Sequence, residues 1–512
     1  MLTRCRPRES GNQFSDRMKR LKILMAASEV AGYARTGGLG DVLAALPREL
    51  AKMGHEVKVF MPWYGQIDDD RRGIRADDRR LAVSFDSTMH QLTLGRRNEP
   101  RLKLETLLLG NDDLFGRSSL YVDPETGHEF GDNDERFAVF CKGVLEACRA
   151  LEWRPDVVHV HDWQTALIPV YLKTVFADDP LWRGVPSVLT IHNLGYQGSF
   201  DAARFGLLGL PAELMHPVTG ALEFYGRLNL LKGAIVLADK LTTVSERYAQ
   251  EIQSTSEFGH GLEGVLQQRS ADLTGILNGV DYTVWSPSRD KEIPYRYHPA
   301  NLSGKRMTKV ELLNRAGLPH REKDPLIGMV TRLADQKGLD LVAAAADRML
   351  SMDLQLIVLG TGEPRYHELL QDLERRYPDK CKAYLTFDNE LSHQIEAASD
   401  IFLMPSRYEP CGLNQMYSLK YGTVPVVRDV GGLADTVIDY DAATGQGTGF
   451  LFGPYTAEAM LEAITRAVEL YPRRRTWTKL MKAGMKQDFS WQRSAEKYAA
   501  LFESLPIVSE SR

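Results

Sequence analysis

One run of the chain, residues 401–427 (IFLMPSRYEPCGLNQMYSLKYGTVPVV), constrains the fold more than any other part of the sequence. Its first four residues, 401–404, are apolar and predict a buried strand. Pro405 ends this strand, because proline has no amide hydrogen to donate to a sheet. A polar loop follows, then a helix over 412–422 and a second strand over 423–427. The order strand, loop, helix, strand is typical of parallel sheets, so the sequence predicts an α/β fold.

Glu409 lies in the polar loop between this first strand and the helix. Parallel sheets bind ligands at the carboxyl ends of their strands, and the N-terminus of a helix favours negatively charged groups. A single glutamate in a loop is more commonly a solvated surface residue. The position of Glu409 nevertheless makes it a candidate catalytic residue.

Residues 406–413 (SRYEPCGL) and 420–423 (KYGT) resemble the S-R-[FY]-E-P-C-G-L and K-Y-G-T motifs of bacterial glycogen synthases and plant starch synthases. The resemblance implies the GT-B fold, in which two Rossmann-like domains face a central cleft, and a retaining glycosyltransferase. Many retaining enzymes of this architecture carry a second glutamate eight residues after the first, where this chain has Tyr417. The resemblance also implies that this loop binds substrate through Cys411, Gly412 and Leu413.

Composition narrows the class of protein further. The 512 residues are 43% hydrophobic and 26% charged, which is typical of globular proteins and suffices for two large domains. A net charge of only −5 argues against a nucleic-acid partner. No apolar run approaches the length of a membrane span, so we expect no membrane partner. None of the five cysteines forms a C-x-x-C pair, which favours a cytoplasmic protein without disulfides or a structural zinc site.

Residues 1–20 are polar and basic and contain no apolar stretch of the kind found in secretory signals. They are predicted to form a disordered N-terminal extension. An alternative is that the start codon has been assigned too early and that translation begins at Met18.

A glycine-rich segment, residues 28–42 (SEVAGYARTGGLGDV), follows the strand predicted over 22–27. Apolar residues at helical spacing from Leu39 to Leu46 predict a helix, and Pro47 is expected to begin a second helical segment. Glycines between a strand and a helix allow a ligand to approach the backbone closely. The dinucleotide-binding spacing G-x-G-x-x-G is absent, which counts against a nicotinamide enzyme.

Residues 35–42 (RTGGLGDV) resemble the K-T-G-G-L-[GA]-D-V motif of the same family. Arg35 replaces the usual lysine and keeps its charge, although a guanidinium is a planar fork and an ammonium a compact donor. The resemblance implies that the sugar-nucleotide donor contacts this segment through Arg35, Thr36, Gly37, Gly38 and Asp41.

Residues 68–133 are predicted to be rich in loops, with hairpins near 92–94 and 102–109. A helix is predicted over 132–149, where Phe137 and its neighbours at helical spacing indicate core packing.

Two predicted strands, 157–160 and 187–191, are each followed directly by a histidine. Taken singly, such histidines are more commonly structural, but parallel strands bring their carboxyl ends to one edge of the sheet. The segments resemble the family motifs H-D-W and H-N-x-x-[YF]-Q-G, which implies that Asp162 and His192 face the transferred glucose, with His161 structural. The second motif also implies substrate contacts at Asn193 and Gln197. Zinc bound by the two histidines is a weaker interpretation, because no third ligand has suitable spacing.

Arg332 and Lys337 follow a strand predicted over 325–331 and precede a helix. Such a pair is more commonly solvated, but at a strand end it suits a pyrophosphate, because arginine can contact two oxygens while lysine supplies a mobile charge. The segment resembles the family motif [SG]-R-L-x-x-Q-K-G, which implies that both residues bind the donor phosphates.

Several other positions resemble family motifs. Asn278, in 275–281 (GILNGVD), is either a donor or glucose contact or a turn residue, since Asn-Gly favours turns. Phe387 stands where relatives carry a tyrosine, which implies stacking on the donor base; otherwise it is a core residue. The glycine turn at 429–435 implies donor contacts at Gly432 and Leu433.

The resemblance extends over about residues 22–502 and implies two domains. Residues 21–275 are expected to form the acceptor-side domain and 276–487 the donor-side domain, with 488–512 packing back on the first. The implied reaction is transfer of glucose from ADP-glucose to the non-reducing end of an α-1,4-glucan such as glycogen, with retention of configuration.

In this reaction the departing diphosphate gains negative charge, which Arg332 and Lys337, helped by Arg35, are expected to stabilise. No Asp-x-Asp metal motif is visible, so we expect no metal and no cofactor. Glu409, Asp162 and His192 are expected to hold the glucose, while a covalent nucleophile at Glu409 is a second possibility. Two rival functions stay open: the same fold using UDP-glucose or another sugar, and a catalytically silent glucan-binding protein.

Overall fold

The structure is a computed structural model that describes residues 19–85 and 88–507. The N-terminal extension and the alternative start at Met18 therefore lie outside the described residues, apart from Lys19 and Arg20. In the part of the chain that is described, no helix combines the length and the apolar composition needed to cross a bilayer.

Strands and helices alternate along most of the chain. The strands are β1 (Lys22–Ala26), β2 (Glu56–Pro62), β3 (Arg75–Phe85), β4 (Thr88–Glu99), β5 (Leu104–Gly110), β6 (Val157–His161), β7 (Ser187–Ile191), β8 (Ser199–Asp201), β9 (Glu223–Phe224), β10 (Arg227–Asn229), β11 (Lys240–Thr243), β12 (Leu273–Gly275), β13 (Leu326–Val330), β14 (Gln355–Leu359), β15 (Cys381–Tyr384), β16 (Ile401–Met404), β17 (Val424–Arg428) and β18 (Phe450–Phe452). The helices are α1 (Gly38–Lys52), α2 (Asp69–Arg72), α3 (Asp112–Phe115), α4 (Asn133–Ala150), α5 (Leu167–Lys173), α6 (Leu230–Leu237), α7 (Glu246–Glu251), α8 (Ser256–Gly259), α9 (Glu263–Gln268), α10 (Ser303–Ala316), α11 (Leu339–Ser351), α12 (Pro364–Arg376), α13 (Asn389–Ala398), α14 (Asn414–Tyr421), α15 (Gly431–Thr436), α16 (Ala457–Leu470), α17 (Arg474–Met485) and α18 (Trp491–Glu503).

The chain divides into two compact units. The first unit comprises Met1–Leu189, Tyr196–Lys240 and Ala495–Arg512, and the second comprises Thr190–Gly195 and Leu241–Ser494. Each unit contains a parallel sheet and helices, so the predicted α/β class is confirmed.

The second unit is built on a six-stranded sheet in the order β15-β14-β13-β16-β17-β18, and every pair of neighbours is parallel. Chain order reverses between β13 and β16, which is the switch point at which doubly wound sheets bind ligands. Alternate strand residues face two different clusters: Ile327 and Met329 pack with α11, α12, α16 and α17, whereas Leu326 packs with α10 and α13. Helices therefore cover both faces of this sheet, as in a Rossmann-like fold.

The strands of the first unit follow the order β7-β6-β1-β2-β5-β4-β3. Parallel pairing joins β1 to both β2 and β6 and joins β2 to β5, whereas β3, β4 and β5 pair antiparallel. Here chain order reverses between β1 and β6, so the carboxyl ends of these two strands form the switch point of the first sheet.

A small antiparallel sheet in the order β8-β10-β9 lies in the same unit. Strands β9 and β10 are joined by two residues, Tyr225 and Gly226, with φ of 50° and 78°. Two positive φ values are the requirement of a type I′ hairpin turn, which favours Asn-Gly. A tyrosine in this left-handed conformation costs roughly 1 kcal/mol.

The structure corrects two sequence predictions in the first unit. Pro47 does not begin a second helical segment but lies within α1, which runs from Gly38 to Lys52. Leu43, Leu46 and Leu50 are all buried, so the continuous apolar face outweighs the hydrogen bond that the proline removes.

The second correction concerns residues 68–133, which are not mainly loop. They contain three strands, β3, β4 and β5, of 11, 12 and 7 residues. The first half of β3 is charged and exposed, because its backbone pairs only with β4 at the edge of the sheet, so it lacks the apolar pattern by which strands are predicted.

Candidate functional site

The switch point of the second sheet brings Lys337 and Glu409 together. Lys337 follows β13 and Glu409 follows β16, and these two strands are neighbours. The Nζ atom of Lys337 donates a hydrogen bond of 2.6 Å to Oε2 of Glu409. The Oγ atom of Ser406 donates a second hydrogen bond of 2.9 Å to the same oxygen. Both charged side chains are largely enclosed, with exposed fractions of 19% for lysine and 7% for glutamate.

The turn that carries Lys337 packs directly on the loop that carries Glu409. The amide of Arg407 donates to the carbonyl of Gln336 at 2.9 Å. Gly338 has a φ of 75°, and a Cβ at this position would lie 2.1 Å from the carbonyl oxygen of Pro405. Only glycine fits both the conformation and the space, so this contact determines where the ammonium group lies.

Arg332 differs from Lys337 in its surroundings. It is exposed, and its guanidinium donates to Oε1 of Gln336 at 3.1 Å. The two cations predicted to bind a diphosphate thus follow the same strand, but one is held in the interior and the other is accessible to solvent.

The backbone of Glu409 is held by the glycine turn at the start of α15. The amide of Gly432 donates to the carbonyl of Glu409 at 3.1 Å. A Cβ on Gly431 would lie 2.0 Å from the carbonyl oxygen of Glu409, and a Cβ on Gly432 would lie 2.0 Å from that of Cys411. Any side chain at either glycine would push the Glu409 loop away.

Helix α7 holds this glycine turn from its other side, through residues that the sequence analysis did not single out. Both carboxylate oxygens of Glu251 accept from the amide of Gly431, at 3.0 and 3.1 Å. Ser245, the N-cap residue of α7, accepts from the amide of Tyr248 and donates to the carbonyl of Pro410 at 2.6 Å. Burial raises the pKa of Glu251, against the opposing effects of the Gly431 amide and of Arg247. An acidic residue at the end of a short polar helix, eight residues after the end of β11, was the available signal for Glu251.

Cys411 and Asn278 are both buried beside this loop. Burial raises the pKa of Cys411 to about 12, although hydrogen bonds from Asn278 act in the opposite direction. Asn278 lies in an irregular segment rather than in a tight turn, and its buried Oδ1 has no hydrogen-bond partner among the described residues. A buried amide oxygen of this kind is suited to accept a hydrogen bond from a ligand.

Phe387, Gly412 and Leu413 complete the predicted donor positions of the second unit. Phe387 is 79% exposed, so it is not a core residue. Gly412 has a φ of 68°, and helix α14 begins at Asn414, two residues later than the sequence indicates. Leu413 immediately precedes that helix and is partly exposed.

His192 and Asn193 also belong to the second unit, directly after β7. The Oδ1 atom of Asn193 accepts from the amide of Gly195 at 3.0 Å, and a Cβ on Gly195 would lie 3.4 Å from the hydroxyl of Tyr408. This places the histidine loop beside the residue that precedes Glu409. Loss of hydration lowers the pKa of His192 to about 3, so its ring is neutral at pH 7 even though part of it stays accessible.

In the first unit, the predicted site residue Asp162 directly follows β6, at the switch point between β1 and β6. Asp162 has a φ of 58° and a ψ of −174°, a region almost restricted to glycine. Strain of this kind is concentrated at functional sites, where surrounding structure maintains it. Its neighbour His161 is fully buried, with its ring 4.1 Å from that of His159, as expected for a structural residue.

The glycine-rich segment after β1 is organised by Glu29, a second residue that the sequence analysis passed over. The carboxylate of Glu29 accepts from the amides of Thr36 and Gly37, at 2.6 and 3.1 Å, and from the hydroxyl of Tyr121 at 2.8 Å. Thr36, Gly37 and Gly38 are exposed, and a Cβ on Gly37 would meet no atom within 4 Å. An acid two residues beyond a strand end, shortly before a Thr-Gly-Gly run, was the available signal.

Arg35 and Asp41 form an ion pair of 2.5 Å in this segment, with exposed fractions of 43% and 35%. Burial raises the pKa of Asp41, and the adjacent Arg35 opposes this effect. The remaining predicted contact, Gln197, accepts at its Oε1 from Nδ2 of Asn229 at 2.7 Å. Among the described residues, no group of three or more histidine, cysteine, aspartate or glutamate side chains is arranged to hold a metal ion.

Two family models match this chain. The one described as "Starch synthase catalytic domain" matches residues 22–268, and the one described as "Glycosyl transferases group 1" matches residues 311–483. The glycogen synthase of Anaeromyxobacter sp. (strain Fw109-5) is 48% identical over 486 residues, which cover 95% of this chain and 99% of that protein. Glycogen synthase 2 of Geobacter sulfurreducens is 46% identical over 482 residues, covering 94% and 98%.

A solved structure agrees with these sequence matches. The catalytic domain of starch synthase IV from Arabidopsis thaliana, bound to ADP and acarbose, superposes with a TM-score of 0.86 at 33% identity, covering 95% of this chain and 99% of that one. The family expected from the SRYEPCGL and RTGGLGDV segments is thereby confirmed, together with the GT-B class of fold. This chain belongs to the glycogen synthase and starch synthase family of glycosyltransferases.

Proposed function

We propose that this protein transfers glucose from ADP-glucose to the non-reducing end of an α-1,4-glucan, with retention of configuration. The observation that carries the proposal is the enclosed Lys337–Glu409 pair at the switch point of the second sheet, in a chain 48% identical to a glycogen synthase. ADP in the Arabidopsis starch synthase supports adenosine as the nucleoside. We assign residues 21–275 to the acceptor side and 276–487 to the donor side, with 488–512 returning to the first.

The chemical problem is the charge that develops on the departing diphosphate. The bond between C1 of glucose and the phosphate oxygen breaks, the acceptor O4 bonds to C1, and the O4 proton passes to the leaving phosphate. Lys337 and Arg332 would bind the phosphate oxygens, and a preorganised cation of this type contributes roughly 3 kcal/mol to the transition state. Arg35, Thr36, Gly37, Gly38 and Asp41 are assigned to the donor on the strength of their motif.

The glucose itself would be held by polar groups that do not react. Glu409 would accept hydrogen bonds from sugar hydroxyls at Oε1, since Oε2 already accepts from Lys337 and Ser406. His192 is neutral at physiological pH and can therefore accept as well as donate a hydrogen bond. Asp162, Asn193 and Gln197 are assigned to glucose or its acceptor, and Asn278 to the donor or glucose. Six residues are assigned to the donor: Phe387, Cys411, Gly412, Leu413, Gly432 and Leu433.

Retention can arise in two ways, and the surroundings of Glu409 favour one of them. A covalent intermediate would need a nucleophilic oxygen on Glu409, whereas two hydrogen bonds to Oε2 reduce its nucleophilicity. Same-face attack, guided by the leaving phosphate, needs no such nucleophile. We therefore propose that Glu409 positions the sugar and does not bond to it.

Incubating the protein with glycogen and radiolabelled ADP-glucose or UDP-glucose tests the reaction. We expect label in glycogen, released by an enzyme that cleaves α-1,4 bonds, with ADP-glucose used at least about tenfold more efficiently. A preference for UDP-glucose would overturn the donor assignment. Glycogen binding without any incorporation from either donor would instead support a silent glucan-binding protein.

The role of Glu409 is tested separately with Glu409→Ala and added azide. Rescue of turnover by azide, with a β-glucosyl azide as product, would show a covalent mechanism and overturn same-face attack. We expect no rescue and a loss of turnover of about 100-fold or more.

A further inference from the structure

The most exposed large apolar side chains of the described residues are Val218, Tyr225 and Phe387, with exposed fractions of 85%, 83% and 79%. Phe387 is already assigned to the donor base. The other two lie seven residues apart in the first unit, at and near the β9–β10 turn. Exposed apolar side chains that occur together commonly mark a binding surface.

The conformation of Tyr225 shows that its ring is not retained for folding. Tyr225 has a φ of 50° in a two-residue turn where asparagine or glycine would be less strained. The ring gains almost no burial in exchange for this strain. A strained residue whose ring is left 83% exposed is a reason to look for a ligand.

The turn presents the ring rigidly. Phe224 packs against Tyr225 edge to face, with ring centroids 4.7 Å apart. The amide of Gly226 donates to Oε1 of Glu223 at 2.8 Å, and the ammonium of Lys232 donates to the carbonyls of Gly220 and Glu223. A fixed aromatic ring loses little conformational entropy when a ligand packs on it.

The same hairpin leads back to a predicted sugar contact. Asn229, at the far end of β10, donates from Nδ2 to Oε1 of Gln197 at 2.7 Å. The four residue steps from Tyr225 to Asn229 span about 13 Å of extended chain. The hairpin is therefore linked, through the buried Asn229, to a segment assigned above to glucose or its acceptor.

We propose that Tyr225 is an outer binding position for the α-glucan acceptor, with the flat C–H face of a glucose ring packed on the tyrosine ring. The inference rests on the proposed function, because it takes its ligand from there. A glucose ring has one apolar face and a rim of hydroxyls, which fits an exposed aromatic ring flanked by hydrogen-bonding groups. Arg227, exposed and held by Ser199 at 2.9 Å, can serve the hydroxyl rim.

Tyr225→Asn should affect glycogen binding without destabilising the fold, because asparagine suits the positive φ and lacks the ring. We expect unchanged or higher thermal stability and an apparent dissociation constant for glycogen, from co-sedimentation without nucleotide, raised about fivefold. Tyr225→Phe, which keeps the ring, should bind within about twofold of the parent protein. Met89→Ala, which removes another exposed apolar side chain of the same unit, is the matched control and should bind normally.

Three results would overturn the inference: unchanged glycogen binding by Tyr225→Asn, equal losses in the phenylalanine and asparagine variants, or an equal loss in Met89→Ala. A change of oligomeric state in Tyr225→Asn, seen by size-exclusion chromatography, would identify a contact between copies and would also overturn it. Since binding is measured without nucleotide, a parent protein that binds glycogen but transfers no glucose would refute the proposed function alone.

Discussion

Two glycine turns of this protein are each held by a buried glutamate, but the space around the glycines is open in one turn and filled in the other. Glu29 accepts from the amides of Thr36 and Gly37 in the first unit, and Glu251 accepts from the amide of Gly431 in the second. Both glutamates are buried, with exposed fractions of 4% and 8%. In each turn a buried carboxylate accepts from backbone amides at the start of a helix.

The difference lies in the space around the glycines. A Cβ on Gly37 would meet nothing within 4 Å, whereas a Cβ on Gly432 would lie 2.0 Å from the carbonyl oxygen of Cys411. The first turn is thus an open surface that a ligand can approach. The second turn is tightly packed and holds the backbone of Glu409, although both turns have the same glycine-glycine-leucine sequence.

The largest predicted effect is the difference in turnover between alanine variants of the cations near the two turns. Lys337 is enclosed and bonded to Glu409, whereas Arg35 is 43% exposed and paired with Asp41. Lys337→Ala should lower turnover about 100-fold to 1,000-fold, because an enclosed cation is worth roughly 3 kcal/mol to a developing charge. Arg35→Ala should lower it only about tenfold, since exposed charges are screened by solvent. Steady-state assays with the sugar nucleotide measure both effects.

Lys479→Ala, which removes an exposed lysine of α17, should retain full turnover. Circular dichroism melting should show all three variants folded. Turnover within threefold of the parent protein in Lys337→Ala would remove the lysine from phosphate binding.

The second-largest predicted effect is the difference in stability between alanine variants of the two glycine turns. Gly432→Ala forces a methyl group against a backbone carbonyl, so we expect a loss of about 2 kcal/mol or more in the free energy of unfolding and a displaced Glu409. Gly37 has an extended backbone and open space around it. Gly37→Ala should therefore change the free energy of unfolding by less than about 0.5 kcal/mol while transferase activity falls. Urea unfolding and activity assays on both variants would refute the contrast if Gly432→Ala were as stable as Gly37→Ala.

The smallest predicted effect is a pH dependence of folding stability that comes from Glu251, the glutamate that holds the second glycine turn. Burial raises the pKa of Glu251, so the folded protein keeps this proton at a higher pH than the unfolded chain does. The stability contributed by the carboxyl group is therefore greatest at low pH and is lost as the pH rises through the raised pKa. Glu251→Gln keeps an acceptor for Gly431 and does not titrate, so its stability relative to the parent should increase between pH 4 and pH 8.

Urea midpoints at several pH values give this difference directly. Gln250→Ala, on the exposed side of the same helix, should show no difference that varies with pH. A constant offset for Glu251→Gln across the range would show that the pKa of Glu251 is not raised in the folded protein.

Much of the second unit could be predicted from its residues. The strand predicted over 401–404 is confirmed and ends at Pro405, and the strand predicted over 325–331 is confirmed as Leu326–Val330. Both strands have a continuous apolar pattern, so neighbouring residues determine them.

The first unit was predicted less well, for two physical reasons. The charged edge strand β3 is held by backbone hydrogen bonds to β4, which leave no pattern in its side chains. Helix α1 continues through Pro47, because burial of its apolar face outweighs a local penalty. In both places tertiary contacts override the local preference.

In the candidate site, too, some residues could be predicted from the sequence and others could not. Motifs led to Lys337 and Glu409, but not to Ser406 as a donor to Glu409 or to Glu29 and Glu251 as anchors of the glycine turns. Of these bonds, only that of Glu251 reaches far along the sequence, whereas those of Ser406 and Glu29 reach residues three to eight positions away. In all three cases a single acid or serine carries no local sign of the group to which it bonds.

Short segments were enough to predict the α/β class and the family, because buried strands, proline stops and motif spacing are local properties. The openness of one glycine turn, the close packing of the other, and the occupied oxygen of Glu409 became visible only in the folded chain. These features depend in part on contacts across long sequence separations, such as Lys337 with Glu409, 72 positions apart, and Glu251 with Gly431, 180 positions apart.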